Sequence, residues 1–345
     1  MNISEWVRPN ILNLKPYSSA RDEFSGEAMV FLDANENPYN EPYNRYPDPL
    51  QRNLKQKIAG LKGVSPGQIF LGNGSDEPID LIIKLFCEPG VHNIVQFEPT
   101  YGMYQVAAAI NNVAVRKVML TEDFRLDADG MLKTVTPETR IIFLCSPNNP
   151  SGNALERESI EKVLTGFNGI VVLDEAYIDF ALNLSWLPRL KDYKNLIILQ
   201  TFSKAWGMAG IRLGMAFCHP EIIAYLNKIK YPYNLNVLTQ RKALELLDNR
   251  AEKERWVKLL LAEREKLAEW LDCLSFVRRV YPSDSNFLLV KMDDAAGVYR
   301  YLMQKGIVVR DRSRILLCEN SLRITVGTPE ENTILMETLH LLNRI

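Results

Sequence analysis

Short apolar runs alternate with stretches of helical spacing along the first two thirds of the chain. The apolar runs are rich in β-branched residues and bounded by turn residues, and they predict strands at Asn93–Phe97, Ala114–Met119, Arg140–Cys145, Ile170–Asp174 and Leu196–Thr201. The helical spacing predicts helices at Asn53–Leu61, Ile79–Cys87 and Tyr101–Ile110. Such alternation is typical of βαβ units. It predicts an α/β fold whose large domain has a mostly parallel central sheet flanked by helices.

The remainder of the chain predicts a second, smaller α+β domain. The stretch Val237–Leu274 is charged, amphipathic and free of Gly and Pro, and it predicts a connecting helix with one break near Asp248–Asn249. Beyond it the pattern predicts strands at 287–290, 307–310 and 322–326, and helices at 295–305 and 329–343. We therefore divide the chain into an arm at 1–45, a large domain at 46–250 and a small domain at 251–345. The arm contains one short predicted strand near Met29–Asp33, and we expect it to join the small domain or a dimer partner.

The charge balance of the 345 residues excludes some classes of partner. Lys plus Arg is 41 and Asp plus Glu is 42, so no broad basic field favours nucleic acid or an anionic membrane. Five widely spaced cysteines with no C-x-x-C predict buried thiols in a reducing compartment, without a metal site. No early apolar segment resembles a signal peptide, and no apolar run approaches the roughly 20 residues that span a bilayer. These observations predict a cytoplasmic protein.

Unusual polar residues follow three of the predicted strands. Ser-Pro-Asn-Asn-Pro-Ser-Gly occupies 146–152, Asp-Glu-Ala-Tyr occupies 174–177, and Phe-Ser-Lys-Ala-Trp-Gly occupies 202–207. In a parallel sheet the carboxyl ends of the strands share one edge, and ligands bind at that edge. We expect these side chains to converge on a single crevice.

The residue types at the strand ends fit one cofactor, pyridoxal 5′-phosphate (PLP). The cofactor aldehyde requires an amine, which Lys204 supplies. Its ring nitrogen stays protonated beside a buried carboxylate, and Asp174 fits that role. Asn149 and Tyr177 can donate hydrogen bonds to the ring oxygen, and Tyr101 can stack on the ring.

The cofactor phosphate requires backbone N–H groups at a helix start together with fixed charge. The Gly-rich turn at 71–77 precedes an apolar run, so Ser75 and Asp76 can offer main-chain donors. Ser203 and Arg212 can add side-chain donors.

Each of these signals has an ordinary structural explanation when it stands alone. A lysine after a serine is usually solvated, Asp174-Glu175 resembles a strand-end cap, and Asn148-Asn149-Pro150 resembles a turn. One cofactor accounts for all of them together, in the order in which they occur.

The motifs Ser-Pro-Asn-Asn-Pro-Ser-Gly, Asp-Glu-Ala-Tyr and Ser-Lys-Ala-x-Gly-Met-Ala-Gly-Ile-Arg at 203–212 resemble the class I/II aminotransferases. The resemblance extends from about Arg8 to the end of the chain. It implies the PLP-dependent transferase fold type I. It also implies that Lys204 binds the cofactor covalently and moves the proton at the substrate Cα, with Asp174 at the ring nitrogen.

Four further segments resemble a branch of that family, the histidinol-phosphate aminotransferases. They are Lys15-Pro16-Tyr17-x-x-Ala20-Arg21, the stretch 32–38, Arg45-Tyr46-Pro47-Asp48, and the stretch 322–327. This resemblance implies that L-histidinol phosphate and 2-oxoglutarate are converted to imidazole-acetol phosphate and L-glutamate in histidine biosynthesis. The acidic stretch Asp22–Ala28 departs from relatives, which are often Gly- or Arg-rich there.

The narrower resemblance also implies roles for residues outside the strand-end motifs. Arg323 would bind the glutamate carboxylate and the substrate phosphate in turn, and Arg310 would assist with the phosphate. Tyr46 would reach the cofactor phosphate from the other subunit of a homodimer, and Tyr17 would contribute from the partner's arm. The Asn149–Pro150 bond would be cis. A structural ion pair is the alternative explanation for Arg323.

Three other functions fit the same motifs. A threonine-phosphate decarboxylase and an aromatic amino-acid aminotransferase would use the same scaffold. A PLP-binding protein without turnover is the third alternative, and the full set of catalytic groups argues against it.

Overall fold

A seven-stranded sheet forms the centre of the larger domain in the computed structural model, which describes residues 2–17 and 29–342. The strands are β1 (Ile69–Asn73), β2 (Asn93–Glu98), β3 (Ala114–Met119), β4 (Thr139–Cys145), β5 (Ile170–Asp174), β6 (Leu196–Thr201) and β7 (Leu213–Phe217). Their order is β1-β7-β6-β5-β4-β2-β3. Strands β2 to β6 pair in parallel, and β7 is antiparallel to both of its neighbours. The predicted fold class is confirmed.

Helices cover both faces of this sheet, so its central strands are buried throughout. Strands β4, β5 and β6 are runs of Ile, Val, Leu and Phe with almost no exposed residue, as expected for parallel strands covered on both faces. The helices before the domain connection are α1 (Pro9–Leu12), α2 (Arg52–Lys62), α3 (Asp76–Phe86), α4 (Met103–Ile110), α5 (Ala128–Thr134), α6 (Arg157–Gly166), α7 (Pro220–Ile229) and α8 (Val237–Leu246). Within residues 2–17 and 29–342, no helix combines the length and the apolar composition that a membrane span requires.

A four-stranded antiparallel sheet forms the smaller domain. Its strands are β8 (Val277–Val280), β9 (Phe287–Met292), β10 (Arg310–Asp311) and β11 (Ser321–Thr325), in the order β10-β11-β9-β8. Helices α9 (Arg250–Asp272), α10 (Ala295–Gln304) and α11 (Pro329–Leu342) accompany it. The connecting helix is interrupted between α8 and α9, as predicted. The predicted strand at 307–310 is wrong in its bounds, because the pairing with β11 begins only at Arg310. The domain boundaries at residues 45 and 250 stay predictions.

The first residues of the predicted arm pack on the larger domain, which differs from our expectation. Ile3, Val7 and Ile11 recur every four residues and are buried in the main core. The guanidinium of Arg8 pairs with Glu88 at 3.0 Å. This apolar stripe has enough hydrophobic surface to bind helix α3 and its surroundings within one chain.

The strand predicted near Met29–Asp33 is absent. Residues 29–32 are exposed, and none of them pairs with a strand in the described part of the chain. The acidic stretch 22–28 lies outside the described residues.

Cys87, Cys145, Cys218 and Cys318 are buried free thiols, as predicted. The prediction is wrong for Cys273, which is exposed because it follows the last turn of α9 at the surface.

Candidate active site

The carboxyl ends of β4, β5 and β6 meet at one edge of the central sheet and open into one pocket. Cys145 and Asp174 are register partners, as are Asp174 and Leu199. The predicted site residues that line the pocket are Ser75, Asp76, Tyr101, Asp174, Tyr177, Ser203, Lys204 and Arg212. The pocket is completed by Gly74, Cys145, Ala176 and Thr201. The three strand ends reach this pocket through Cys145, Asp174 and Thr201, and the roles of the site residues stay predictions.

The Asp174 carboxylate lies at the buried floor of this pocket. Its Oδ2 accepts a hydrogen bond from the Tyr104 hydroxyl at 2.6 Å, and its Oδ1 accepts one from the Ala176 N–H at 3.0 Å. Burial raises the pKa of Asp174 to about 6, although both hydrogen bonds oppose that change. A cation placed against this carboxylate would therefore stabilise its ionised form.

Tyr104 is a site residue that the sequence analysis missed. It is fully buried in α4, and burial raises the pKa of its hydroxyl well above the ordinary value, so it stays a donor. Its position three residues after Tyr101, close to one helical turn, is the signal that could have identified it.

Lys204 lies in the turn after β6, with its amine in the same pocket. Burial and the nearby Arg323 charge lower its pKa, while Asp174 opposes the change. The Lys204 Nζ atom is 5.4 Å from the centre of the Tyr177 ring. A lowered pKa increases the neutral fraction of the amine, which is the nucleophilic form.

The opposite end of the pocket combines a helix start with an arginine. The Arg212 guanidinium is 3.5 Å from Asp76 in the first turn of α3, and the Tyr101 hydroxyl donates to Asp76 at 3.1 Å. Gly74 has a φ of +70°, and a Cβ there would lie 2.5 Å from Arg212 Nη2. The first N–H groups of a helix have no partner within it. This end of the pocket can therefore hold an anion with both backbone and side-chain donors.

Ser203 is fixed by Thr201, which the sequence analysis did not select. The Ser203 N–H donates to Thr201 Oγ1 at 3.1 Å, and the Thr201 hydroxyl donates to Ser203 Oγ at 3.0 Å. Thr201 is the last residue of β6, so its position at a strand end was the available signal.

Asn149 and Arg323 join the two domains beside the pocket. The Asn149 amide donates to the Tyr177 hydroxyl at 3.3 Å, and the Arg323 guanidinium donates to Asn149 Oδ1. The guanidinium carbon is 5.2 Å from the centre of the Phe287 ring. Arg323 Nε is buried and has no hydrogen-bond partner among the described residues. These contacts, an amide oxygen and an aromatic ring, give no support to a structural ion pair among the described residues.

Asn149 and Arg323 lie beside the pocket, and three further predicted residues do not line it in their own chain. Arg310 is exposed and lies opposite Arg323 in the β10–β11 register. Tyr46 is half exposed and stacks on Tyr233 with 4.3 Å between ring centres. Tyr17 is 71% exposed.

The prediction of a cis Asn149–Pro150 bond is wrong. The cis bonds of the described residues are Glu41–Pro42, Glu98–Pro99 and Ser146–Pro147. The Asn149–Pro150 bond lies inside a turn closed by a hydrogen bond from the Gly152 N–H to the Asn148 carbonyl at 2.8 Å.

A larger cavity, of about 540 Å³, lies beside the end of α2 and includes Lys62, Asp179 and Gln200 in its lining. Its buried charges compensate one another: Asp179 is 3.1 Å from Lys253 and 3.8 Å from Lys62. The neighbouring Glu175 carboxylate accepts three hydrogen bonds, from Ser185, Trp186 and Gln200. Lys204 and Asp174 line the smaller strand-end pocket and not this cavity.

Comparison with known proteins shows which family and which solved structures this chain is similar to. The family model described as aminotransferase class I and II matches residues 29–339. A histidinol-phosphate aminotransferase of Parabacteroides distasonis is 60% identical over 338 residues, covering 98% of both chains. One from Bacteroides fragilis is 57% identical with the same coverage. The crystal structure of the histidinol-phosphate aminotransferase from Clostridium acetobutylicum aligns with a TM-score of 0.81 at 25% identity, covering 88% of this chain and 91% of that chain.

Proposed function

Since the chain belongs to the aminotransferase class I and II family, we propose that it transfers an amino group between L-histidinol phosphate and 2-oxoglutarate with PLP as cofactor. The products are imidazole-acetol phosphate and L-glutamate. The observation that carries the proposal is the pairing of a partly buried amine, Lys204, with a fully buried carboxylate, Asp174, in one pocket. The relatives at 57–60% identity are named histidinol-phosphate aminotransferases, which supports histidinol phosphate as the amino substrate.

The residues of the pocket fit the cofactor at each of its polar groups. The buried Asp174 carboxylate would hold the ring nitrogen in its protonated form, and Asn149 with Tyr177 would donate to the ring oxygen. The phosphate would be held by Ser75, Asp76, Ser203 and Arg212, and Tyr101 would cover the ring. When bound, PLP supplies an electron sink that stabilises negative charge at the substrate Cα.

Lys204 has two tasks in this proposal. Its amine would hold the cofactor covalently between reactions and, once displaced by a substrate amine, would move the proton at the substrate Cα. Its lowered pKa leaves more of the amine neutral and able to accept the proton.

Arg323 allows two different substrates to use the same pocket in succession. It would bind the carboxylate of glutamate in one half-reaction and the phosphate of histidinol phosphate in the other, with Arg310 assisting. The buried Arg323 Nε without a partner in the described residues supports this role.

We also propose a cytoplasmic homodimer in which each subunit completes the site of the other. Tyr46 would reach the partner's cofactor phosphate and Tyr17 the partner's substrate. Their exposure in the single chain, together with the exposed apolar residues 29–32, supports this assembly.

Mixing the purified protein with PLP, L-histidinol phosphate and 2-oxoglutarate tests the function through the formation of glutamate. We expect turnover by the wild type and none by Lys204→Ala. Borohydride should trap the cofactor on Lys204, which peptide mass spectrometry would locate. Labelling of another lysine, or turnover by Lys204→Ala, would contradict the assignment.

The same preparation separates the alternative functions. Carbon dioxide release from threonine phosphate without glutamate formation would identify a decarboxylase. Activity on phenylalanine without activity on histidinol phosphate would identify an aromatic aminotransferase. A protein that binds PLP but shows no spectral change with any amine would be a binding protein without turnover.

A further inference from the structure

A third arginine lies beside Arg310 and Arg323, at the face of the small sheet that meets the pocket. Arg312 follows Arg310 by two residues, so strand alternation places both side chains on the same face. The Arg312 N–H donates to the Ser321 carbonyl at 2.9 Å, which extends the β10–β11 pairing past Asp311. Arg312 therefore belongs to the same surface as the two arginines already considered.

The charge of Arg312 acts on Tyr177 in the pocket, and no carboxylate of the described residues forms a salt bridge with it. Burial raises the pKa of Tyr177, and the charges of Arg323 and Arg312 both oppose that change. Arg312 Nε is buried without a hydrogen-bond partner among the described residues, as is Arg323 Nε. The adjacent Asp311 points to the opposite face by the same alternation, and its carboxylate accepts the Ser313 N–H at 2.8 Å.

Three guanidinium groups at one place repel one another, so the arrangement is unfavourable until an anion binds. Burial, with Arg323 and Arg310 nearby, lowers the pKa of Arg312 to about 10, which still leaves it a cation at neutral pH. A carboxylate is satisfied by one bidentate arginine, and Arg323 provides it. A phosphate monoester carries a charge near −2 and three acceptor oxygens, and it can engage more donors.

We propose that Arg312 binds the phosphate of the phosphorylated substrate. It thereby distinguishes this dianion from the carboxylate of the substrate of the other half-reaction. The inference rests on the proposed function for the identity of the two substrates. Arg323 serves both of them in this scheme, whereas Arg312 serves only the phosphorylated one.

Separate half-reactions of the holoenzyme test this division. Arg312→Gln should lower the second-order rate constant for L-histidinol phosphate about 10- to 100-fold, the loss expected for one charge-assisted contact. It should change the rate constant for L-glutamate less than about threefold. Arg312→Lys should recover part of the loss, because it keeps the charge without the planar fork.

Arg314→Gln is the matched control, since Arg314 is an exposed arginine two residues further along the same segment. It should leave both rate constants within about twofold of the wild type, as is usual for exposed charges. Equal losses for both substrates with Arg312→Gln, or no loss for either, would overturn the proposal.

Inorganic phosphate provides a test that does not depend on the substrate assignment. In the holoenzyme the cofactor phosphate occupies its own subsite, so added phosphate would bind at the arginines. Calorimetry should show equal affinity for the wild type and Arg314→Gln, and at least about tenfold weaker binding for Arg312→Gln. Wild-type affinity in Arg312→Gln, or no phosphate binding by the wild type, would contradict the role of Arg312. Phosphate binding that depends on Arg312, in a wild type that does not react with histidinol phosphate, would instead refute the proposed substrate.

Discussion

The Asp174 carboxylate combines burial, which disfavours its charge, with two hydrogen bonds that favour it. The Tyr104 hydroxyl and the Ala176 N–H occupy one oxygen each. The balance raises the pKa to about 6 rather than higher. The carboxylate is thus ionised at neutral pH while remaining in an apolar environment, where a cationic ring nitrogen would be attracted strongly.

Replacing Tyr104 by Phe removes one of these two donors. We expect the pKa of Asp174 in the cofactor-free protein to rise above about 6, because burial would then be less opposed. Cofactor affinity at pH 7 should fall about tenfold, as for the loss of one hydrogen bond to a charged group. Carbon-13 NMR of labelled aspartate would follow the titration.

The control is Tyr225→Phe, the same chemical change at a partly buried tyrosine of the main core. It should leave the Asp174 titration unchanged. An unaltered pKa in Tyr104→Phe would show that the 2.6 Å contact has no influence on the carboxylate.

Asp174→Asn should stabilise the cofactor-free protein while it abolishes activity. The folded-state pKa of Asp174 is raised from 3.8 to about 6, so its ionisation costs stability that grows as pH rises from about 4 and levels off above pH 6. The variant lacks this cost. Its free energy of unfolding should therefore exceed that of the wild type by up to about 3 kcal/mol at pH 8, and by about half of that at pH 5. Thermal melting of both proteins at both pH values measures this difference in stability. A variant that is less stable than the wild type at pH 8 would contradict the account.

Single residues could be predicted from the sequence where the residue type itself carried the chemistry. Lys204, Asp174 and Arg212 are of this kind, and all three line the pocket. Tyr104 and Thr201 were not identified from the sequence, because tyrosine is common in cores and threonine is common in strands. Only the three-dimensional contact with Asp174 or Ser203 gives them significance.

At the scale of elements, the turn between β1 and α3 depends on two glycines that lie against each other. Gly214 in β7 passes so close to this turn that a Cβ would lie 2.2 Å from the Gly74 carbonyl carbon. Gly74 in turn adopts a φ of +70° beneath Arg212. The close approach lets the first N–H groups of α3 and the Arg212 side chain face the same volume.

Gly74→Ala should disturb this turn. The added methyl would displace Arg212, and the positive φ would add strain of about 1 kcal/mol. We expect PLP affinity to fall at least about tenfold, through loss of a charged contact to the phosphate. Titration of the cofactor absorbance measures this affinity.

Gly60→Ala is the matched control. Gly60 lies inside α2, and a Cβ added there would have no other atom within 4 Å. The change should leave PLP affinity unchanged and stabilise the helix by about 0.5–1 kcal/mol. Equal PLP affinity in Gly74→Ala and Gly60→Ala would show that the turn does not contribute to phosphate binding.

The parallel strands were predictable because β-branched runs ended at polar motifs, and β3, β5 and β6 have the predicted bounds. Strands β1 and β7 were missed. Each is five residues long and contains a glycine, Gly72 or Gly214, which weakens the local preference for a strand. Their pairing is a property of the assembled sheet rather than of either segment.

At the scale of the whole molecule, the structure has two sheets, and the first residues of the segment predicted as an arm pack on the large domain. Ile3, Val7 and Ile11 pack on the large domain. Residues 29–46, in contrast, leave several aromatic and aliphatic side chains exposed. Met29 is 96% exposed and Leu32 is 91% exposed. A local pattern can identify an apolar segment, but it does not say which surface covers that segment.

Complementation between subunits tests whether each site uses Tyr46 from the partner. Lys204→Ala and Tyr46→Ala should both be strongly impaired as homodimers. In a mixed dimer, the subunit that retains Lys204 would receive an intact Tyr46 from its partner, so one native site would be restored. Random pairing makes half of the dimers mixed, and about a quarter of wild-type activity should return after the two variants are unfolded and refolded together.

The control mixes Lys204→Ala with Asp174→Asn, whose lesions both lie within the pocket of a single chain. Every site in such a mixed dimer keeps one lesion, so no activity should return. Recovery in the first mixture but not in the second requires a site that is shared between two chains. If neither mixture recovers activity although mixed dimers form, Tyr46 acts within its own subunit, and its stacking on Tyr233 is then its main contact. The exposed 29–46 surface would in that case need another explanation than a shared active site.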